Sequence, residues 1–356
     1  MAYTTINKST DYFNTKLYTG NGTTNTAITG VGFQPDLSII KARDMTYDHN
    51  VMDAVRGSTK RVATNLSDAE STQAEMIKSF ASDGFNLGDN GGVNQNTKTY
   101  VAWNWKANGA GVSNTSGSIT STVSASATSG FSIVSYTGTG ANATVGHGLG
   151  VAPAMIIVKN LQNTYEWIIG HKDLASGGTG FSANWYFNGF NTSAKNQNAT
   201  ASWNSASPTT SVFSLHSGAT YMNASGQANI AYCFAEKTGY SKFGSYVGNG
   251  NADGTFVYTG FKPAFVMTKN SSAGSTNWSM MDNKRFGYNV TLPYVYANTS
   301  GVEQTDQNVN NIDILSNGFK CRESDANRNA SGASYIYMAF AEAPLVGTNN
   351  VPCTAR

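Results

Sequence analysis

YTGNGTTNTAITGVGFQPDLSIIK, from Tyr18 to Lys41, is written three times in this chain. The second copy reads YTGTGANATVGHGLGVAPAMIIVK from Tyr136 to Lys159, and the third YVGNGNADGTFVYTGFKPAFVMTK from Tyr246 to Lys269. Tyrosine and proline stand 17 residues apart in every copy (Tyr18 to Pro35, Tyr136 to Pro153, Tyr246 to Pro263), and the lysine follows 6 residues later. Glycines hold the same register at Gly20, Gly22 and Gly32, at Gly138, Gly140 and Gly150, and at Gly248, Gly250 and Gly260. Constant spacing between residues of such different chemistry marks an internal repeat.

Each copy closes on an apolar run: TYVAWNWKA through Trp105, NIAYCFAEK through Phe234, and YIYMAFAEA through Phe340. A phenylalanine stands 20 or 21 positions before that aromatic, at Phe85, Phe213 and Phe319. The copies start 118 and 110 residues apart, too long for a propeller blade and the right length for a small two-layer unit. Gly-rich turns, β-prone hexads such as DLSIIK, AMIIVK and AFVMTK, and little 3.6-residue periodicity predict antiparallel sheets. The expected fold is all-β: three tandem antiparallel β-sandwiches of lectin-like or jelly-roll type. The lysine ending each hexad is expected to keep the strand terminus wet.

The expected division is 1–107 for the first repeat, 108–130 for a Ser/Thr/Gly-rich linker, 131–238 and 239–344 for the second and third repeats, and 345–356 for a tail. The linker, having lost its large aromatics and nearly all charge, reads as an extended arm that lets the first repeat sit apart. Copies two and three, with a short join, are expected to dock. The tail is read as having little to bury unless a neighbouring chain anchors it. One stretch, DAESTQAEMIKSF from Asp68 to Phe80, carries helix formers behind a capping Ser67 or Asp68 and suggests a short helix.

Charged residues are only 12% of the chain and hydrophobic ones 40%, with Asn, Ser, Thr and Gly supplying the polarity. A net charge of +2 with dispersed Lys and Arg gives no footprint for nucleic acid. No apolar stretch is long enough for a membrane span, and the amino terminus lacks a signal-peptide core, so the chain is expected to start in the cytoplasm. Cys233, Cys321 and Cys353 are too scattered for a disulfide framework and read as thiols packed like small hydrophobes.

Four histidines, His49, His147, His171 and His216, form no recurring ligand cluster. No nucleophile motif appears, and the Gly-rich strings lack the strand-to-helix context of a phosphate cradle. A glycosidase needs paired carboxylates; among Asp36, Asp44, Asp48, Asp53, Glu166, Asp173 and Asp282 no pair recurs across the copies. The densest polar stretch, Asp44 to Arg56, reads as an ion-pair cluster of Arg43, Asp53 and Arg56, or alternatively as a site. The GNGNADG loop from Gly248 to Gly254 lacks the bidentate Glu of a calcium loop. No catalytic residue, cofactor or metal is expected.

Exposed aromatics are the usual means of glycan or receptor contact. Trp167, Trp185, Tyr186, Trp203, Trp278, Tyr288, Tyr294 and Tyr296 lie outside the repeated framework, in the variable middle of their copies, and read either as core or as contact residues.

The stretch YVAWNWKANGAGVSNTSGSITSTVSASATSGFSIVSYTGTGANATVGHGLGVAPAMIIVKN, from Tyr100 to Asn160, resembles a module of virion structural proteins, often termed tail fibres, of marine bacteriophages such as those of cyanobacteria and Pelagibacter-like hosts. The likeness covers most of the chain and is most specific in WNWKA, VGHGLGVAPAMIIVK and YMAFAEAPLV. A looser likeness, to small phage receptor-binding sandwiches of H-type lectin character, lies in the strand order. The chain has no coiled coil, collagen repeat or β-helix shaft, which departs from long fibres. The resemblance implies a surface appendage of a virion, a fibre, tip or capsid decoration, engaged in host attachment or particle stabilisation. Expected partners are other virion proteins, further copies of the chain in a trimer or other symmetric assembly, and a host surface glycan. The alternatives are a carbohydrate-active depolymerase and a free carbohydrate-binding module.

Overall fold

The computed structural model describes residues 4–174, 179–198, 202–285, 289, 293–305 and 312–344. Tyr288, Cys353 and the tail 345–356 lie outside the described residues. The fold is all-β and antiparallel, and the three copies build the same pair of layers.

In the first copy the opening strand Phe13–Thr19 pairs with the closing strand Thr99–Trp105. The closing strand pairs on its other side with the proline-led strand Leu37–Ala42, and that with a fourth strand, Asn50–Asp53. The second copy repeats this order with Phe131–Thr137, Ala228–Phe234, Met155–Asn160 and Ile168–His171. The third does so with Ser241–Val247, Ser334–Pro344, Phe261–Asn270 and Ser279–Asp282. The last strand of each copy is therefore threaded between two earlier ones.

A second layer covers one face of each sheet. It is built from Thr26–Thr29, Gly84–Leu87 and Ile77–Ala81 in the first copy. In the second it is Ala143–Gly146 with Val212–Leu215, and in the third Phe256–Tyr258, Gly318–Cys321 and Ile312–Leu315. Phe85, Phe213 and Phe319 sit between the layers, each in the apolar cluster of its own copy.

The closing strands explain their own sequence. Tyr100 and Ala102 face the interior of the first sandwich, while Val101, Trp103 and Trp105 face away from it, into a cluster shared by all three copies. A strand buried on both faces has no wet side and so reads as an unbroken apolar run. Each large side chain removed from water in this way stabilises the fold by about 1.5–3 kcal/mol.

The repeated framework residues make the same bonds in every copy. The hydroxyls of Tyr18, Tyr136 and Tyr246 donate to the carbonyls of Val93 (2.8 Å), Met222 (2.7 Å) and Arg328 (2.7 Å). Gly20, Gly138 and Gly248 are obligatory because an added Cβ would lie 2.3, 2.5 and 2.3 Å from the carbonyl oxygens of Gln95, Ala224 and Ala330. Pro35 and Pro153 precede their strands, whereas Pro263 lies within Phe261–Asn270, at a register shift where the ladder is already broken.

Four expectations are corrected. Lys41, Lys159 and Lys269 are buried, not wet. Their ammonium groups donate to backbone carbonyls: Lys41 to Ala42 at 2.6 Å, Lys159 to Asn160 at 2.8 Å and Tyr165 at 2.9 Å, Lys269 to Thr276 at 3.0 Å. Within 108–130, where a linker is expected, Ser121–Ser126 pairs with the opening strand of the second copy and Val112–Asn114 pairs with Ser121–Ser126. Small Ser, Thr, Ala and Val side chains are as able to line a sheet edge as to form an arm. Asp68 to Phe80 holds the strand Ser71–Thr72 and most of Ile77–Ala81 rather than a helix, because pairing with Gly84–Leu87 overrides local propensity. The first copy does not sit apart: its Phe13 ring stacks on Phe340 of the third at 5.1 Å.

Candidate functional site

The shared cluster has threefold character. Trp105, Phe234 and Phe340 end the apolar stretches of the three closing strands, and their ring centroids form a triangle of 6.4 Å (Trp105 to Phe234), 6.0 Å (Phe234 to Phe340) and 5.8 Å (Trp105 to Phe340). Around them pack Phe13, Phe131, Phe243 and Phe265. A cavity of about 30 Å³ remains beside the triangle, lined by apolar side chains and Thr64.

Each copy docks on the one before it, and the first docks on the third, so the ring closes. The second copy reaches the first through the Trp167 indole N–H, which donates to Ala63 O at 3.0 Å, and through Lys159 Nζ, which donates to Ser67 O at 3.0 Å. The third reaches the second in the same way, Trp278 donating to Gly189 O at 3.1 Å and Lys269 to Ser193 O at 3.4 Å. At the matching position the first copy has His49, which lies against the backbone of Tyr296 and Thr299 in the third. Thr64 Oγ1 donates to Ala297 O at 2.6 Å across that same seam.

A second row of equivalent residues ends the fourth strands: Asp53, His171 and Asp282. Tyr232 OH of the second copy donates to Asp53 Oδ2 at 2.8 Å, and Trp103 Nε1 of the first donates to Asp282 Oδ2 at 3.0 Å. Each aspartate also holds a buried arginine three residues on, Arg56 at 2.5 Å and Arg285 at 2.7 Å. The expected cluster thus divides: Asp53 pairs with Arg56, whereas Arg43 turns to Glu303 of the third copy with two hydrogen bonds of 2.9 and 3.1 Å. In the remaining seam His171 takes the aspartate's place, its ring 6.5 Å from Phe243.

Burial, joined by the nearby cations Lys41 and Arg285, holds the His49 imidazole well below its usual range. Burial and then Lys172 push His171 down to about 3. Burial likewise lowers Lys41 and Lys159 to about 8 and Lys269 to about 7. Burial also pushes the thiols of Cys233 and Cys321 up, away from reactivity. Among the described residues no three His, Cys, Asp or Glu side chains converge as a metal site. His49, His171, Lys159 and Lys269 thus sit in seams between copies, whereas Lys41 donates within the first copy and the two thiols lie inside the second and third.

The aromatic candidates divide by burial. Trp167, Trp203 and Trp278 are each 1% exposed. Trp167 and Trp278 bridge seams, and Trp203 Nε1 donates to Trp185 O at 3.2 Å within the second copy. Trp185 and Tyr186, on Trp185–Asn188, are half-buried, as are Tyr294 and Tyr296 on Tyr294–Tyr296. The Arg328 guanidinium lies over the Tyr294 ring at 4.6 Å. Among the described residues the aromatics most open to solvent are others: Tyr47, Tyr221, Phe256 and Tyr258. The last two flank buried Val257 in strict alternation, a pattern legible in the sequence; Tyr221 sits on the single-turn helix Thr220–Asn223, which has no such signal.

A family model described as a domain of unknown function matches residues 8–344, a span that takes in all three copies. No curated protein matches the chain.

Proposed function

The chain belongs to the DUF7483 family, and we propose for it the role of a structural surface component of a bacteriophage particle, a tail fibre, tip or capsid decoration. The observation that carries this reading is the closed ring. Three similar units in one chain form the heterologous contacts that three subunits would form around an axis, so the chain can occupy a threefold position on a larger assembly as a single copy. Groups that could have served chemistry, Asp53, Asp282, His49, His171, Lys159 and Lys269, are engaged in holding the seams. Such an arrangement gives a rigid scaffold, and rigid scaffolds carrying loops that differ between copies suit recognition. The resemblance of Tyr100 to Asn160 to marine phage virion modules supports the same reading.

In this role the partners are other virion proteins, further copies of the chain and a host surface glycan, and the site of action is the virion surface. The test is to label intact particles with antibody against the chain and image them. Label on the tail or head is the expected result. Particles that carry none of the chain, or purified protein that releases reducing ends from host polysaccharide, would overturn the proposal.

A further inference from the structure

We propose that the open pocket between Tyr186 and Tyr221 in the second copy binds a neutral pyranose ring of a surface glycan. The pocket measures about 90 Å³ and is lined by the apolar Ile168 and Met222, by the two tyrosines, and by Ser202 and Gly218. None of these residues carries a formal charge, so an ionic ligand would lose water there without gaining a partner. A neutral ligand with one apolar face and several hydroxyls loses much less. A pyranose has that form.

Three features point to a built site. Tyr221 is 42% exposed, yet its ring is steadied by the edge of Tyr165 at 5.2 Å, which lowers the cost of ordering it around a ligand. The Tyr186 hydroxyl makes only a long bond, donating to Gln197 Oε1 at 3.4 Å, and is free to turn to a sugar hydroxyl. Ser202 lines the pocket, and its hydroxyl makes no hydrogen bond to another described residue and keeps contact with solvent. A hydroxyl that pairs with solvent in the free protein can pair with a sugar hydroxyl instead.

The pocket is particular to the second copy. Asn94, Asn223 and Asn329 are equivalent, each accepting the N–H of the matching loop glycine, Gly22, Gly140 and Gly250, at its backbone carbonyl. Two residues before them stand Gly92, Tyr221 and Asn327, so only one copy offers an aromatic wall.

This inference deepens the surface-display reading and is tested apart from it. The full chain is titrated with methyl α-D-glucopyranoside, methyl β-D-galactopyranoside and methyl α-D-mannopyranoside, with glucuronate as the charged control, and binding is followed by saturation-transfer NMR. At least one neutral pyranoside is expected to bind, more tightly than glucuronate. Tyr221→Ala should weaken that binding roughly tenfold and Ser202→Ala roughly threefold, the sizes of a lost ring contact and a lost hydrogen bond. Tyr221 is exposed enough that its replacement leaves folding intact, so this variant decides the matter should Ser202→Ala fail to fold. Absence of binding by all three neutral sugars, tighter binding of glucuronate, or undiminished binding in Tyr221→Ala would overturn the inference. Particle labelling can succeed or fail independently of any of these outcomes.

Discussion

The hydroxyl of Tyr232 lies 2.8 Å from Asp53 Oδ2, across the seam between the second and first copies, and the Arg56 guanidinium donates to that same oxygen at 2.5 Å and to the Tyr232 hydroxyl at 3.3 Å. Removing the hydroxyl leaves the ion pair; removing the carboxylate leaves a buried cation. Tyr232→Phe should therefore cost about 1.5–3 kcal/mol, and Asp53→Ala about 3–5 kcal/mol. Urea denaturation of the two variants checks this order, which fails if Tyr232→Phe is the more damaging.

Because Trp105, Phe234 and Phe340 form one triangle, truncating any of them should weaken all three copies. Trp105→Ala or Phe340→Ala is expected to cost about 3–5 kcal/mol, and the double variant should depart from the sum by about 0.5–3 kcal/mol. Hydrogen exchange gives the sharper test: Phe340→Ala should lower protection of the first copy's closing strand as well as the third's.

The framework lysines predict a rise of stability with pH. Burial lowers Lys269 to about 7 and Lys41 and Lys159 to about 8, below the ordinary lysine value, so between about 7 and 10 the unfolded chain binds more protons than the folded one. The denaturation midpoint should climb over that window. Facing Lys41 are Asp44, Asp48 and Glu303; facing Lys159 are Asp68, Glu166 and Arg56. Lys269→Met should remove its share of the slope, at a cost of about 1–3 kcal/mol for the Thr276 and Ser193 acceptors left unpaired.

Acid acts through the buried imidazoles. His171, held down to about 3, favours proton uptake by the unfolded chain below its ordinary pKa of about 6.5. Stability should fall as pH drops from about 6.5 toward 3, and His171→Leu should flatten part of that fall. Parallel pH titrations of thermal unfolding in the two proteins measure the difference.

A chain ending at residue 237 would lose Phe243, Phe265 and Phe340 and bare the rings of Phe13, Trp105 and Phe234 that pack on them. It is expected to aggregate or bind hydrophobic dyes under conditions where the full chain is soluble and silent. A soluble, cooperatively unfolding truncation would show that the copies do not depend on one another.

Much of this protein was determined by its sequence alone. The spacing of tyrosine, glycine and proline specified local turns whose steric demands, a hydroxyl reaching one carbonyl or no room for a Cβ beside another, are met within a single copy. β-Prone hexads and Gly-rich turns were enough to imply antiparallel sheets. What the closing strands pack against was decided elsewhere. An apolar run says that both faces are buried, but not that one face of Trp103 and Trp105 meets other copies. The burial of the framework lysines is hidden from the sequence for the same reason: a charge at a strand end is wet unless a neighbouring loop brings carbonyls to it, and for Lys159 and Lys269 one of those carbonyls, Ser67 O or Ser193 O, belongs to the preceding copy. The pocket at Tyr186, Ser202 and Tyr221 joins residues far apart in sequence through loops that differ between copies. Local chemistry is written in the repeat; the ring and its pocket come from long-range packing, which a repeat cannot encode by spacing.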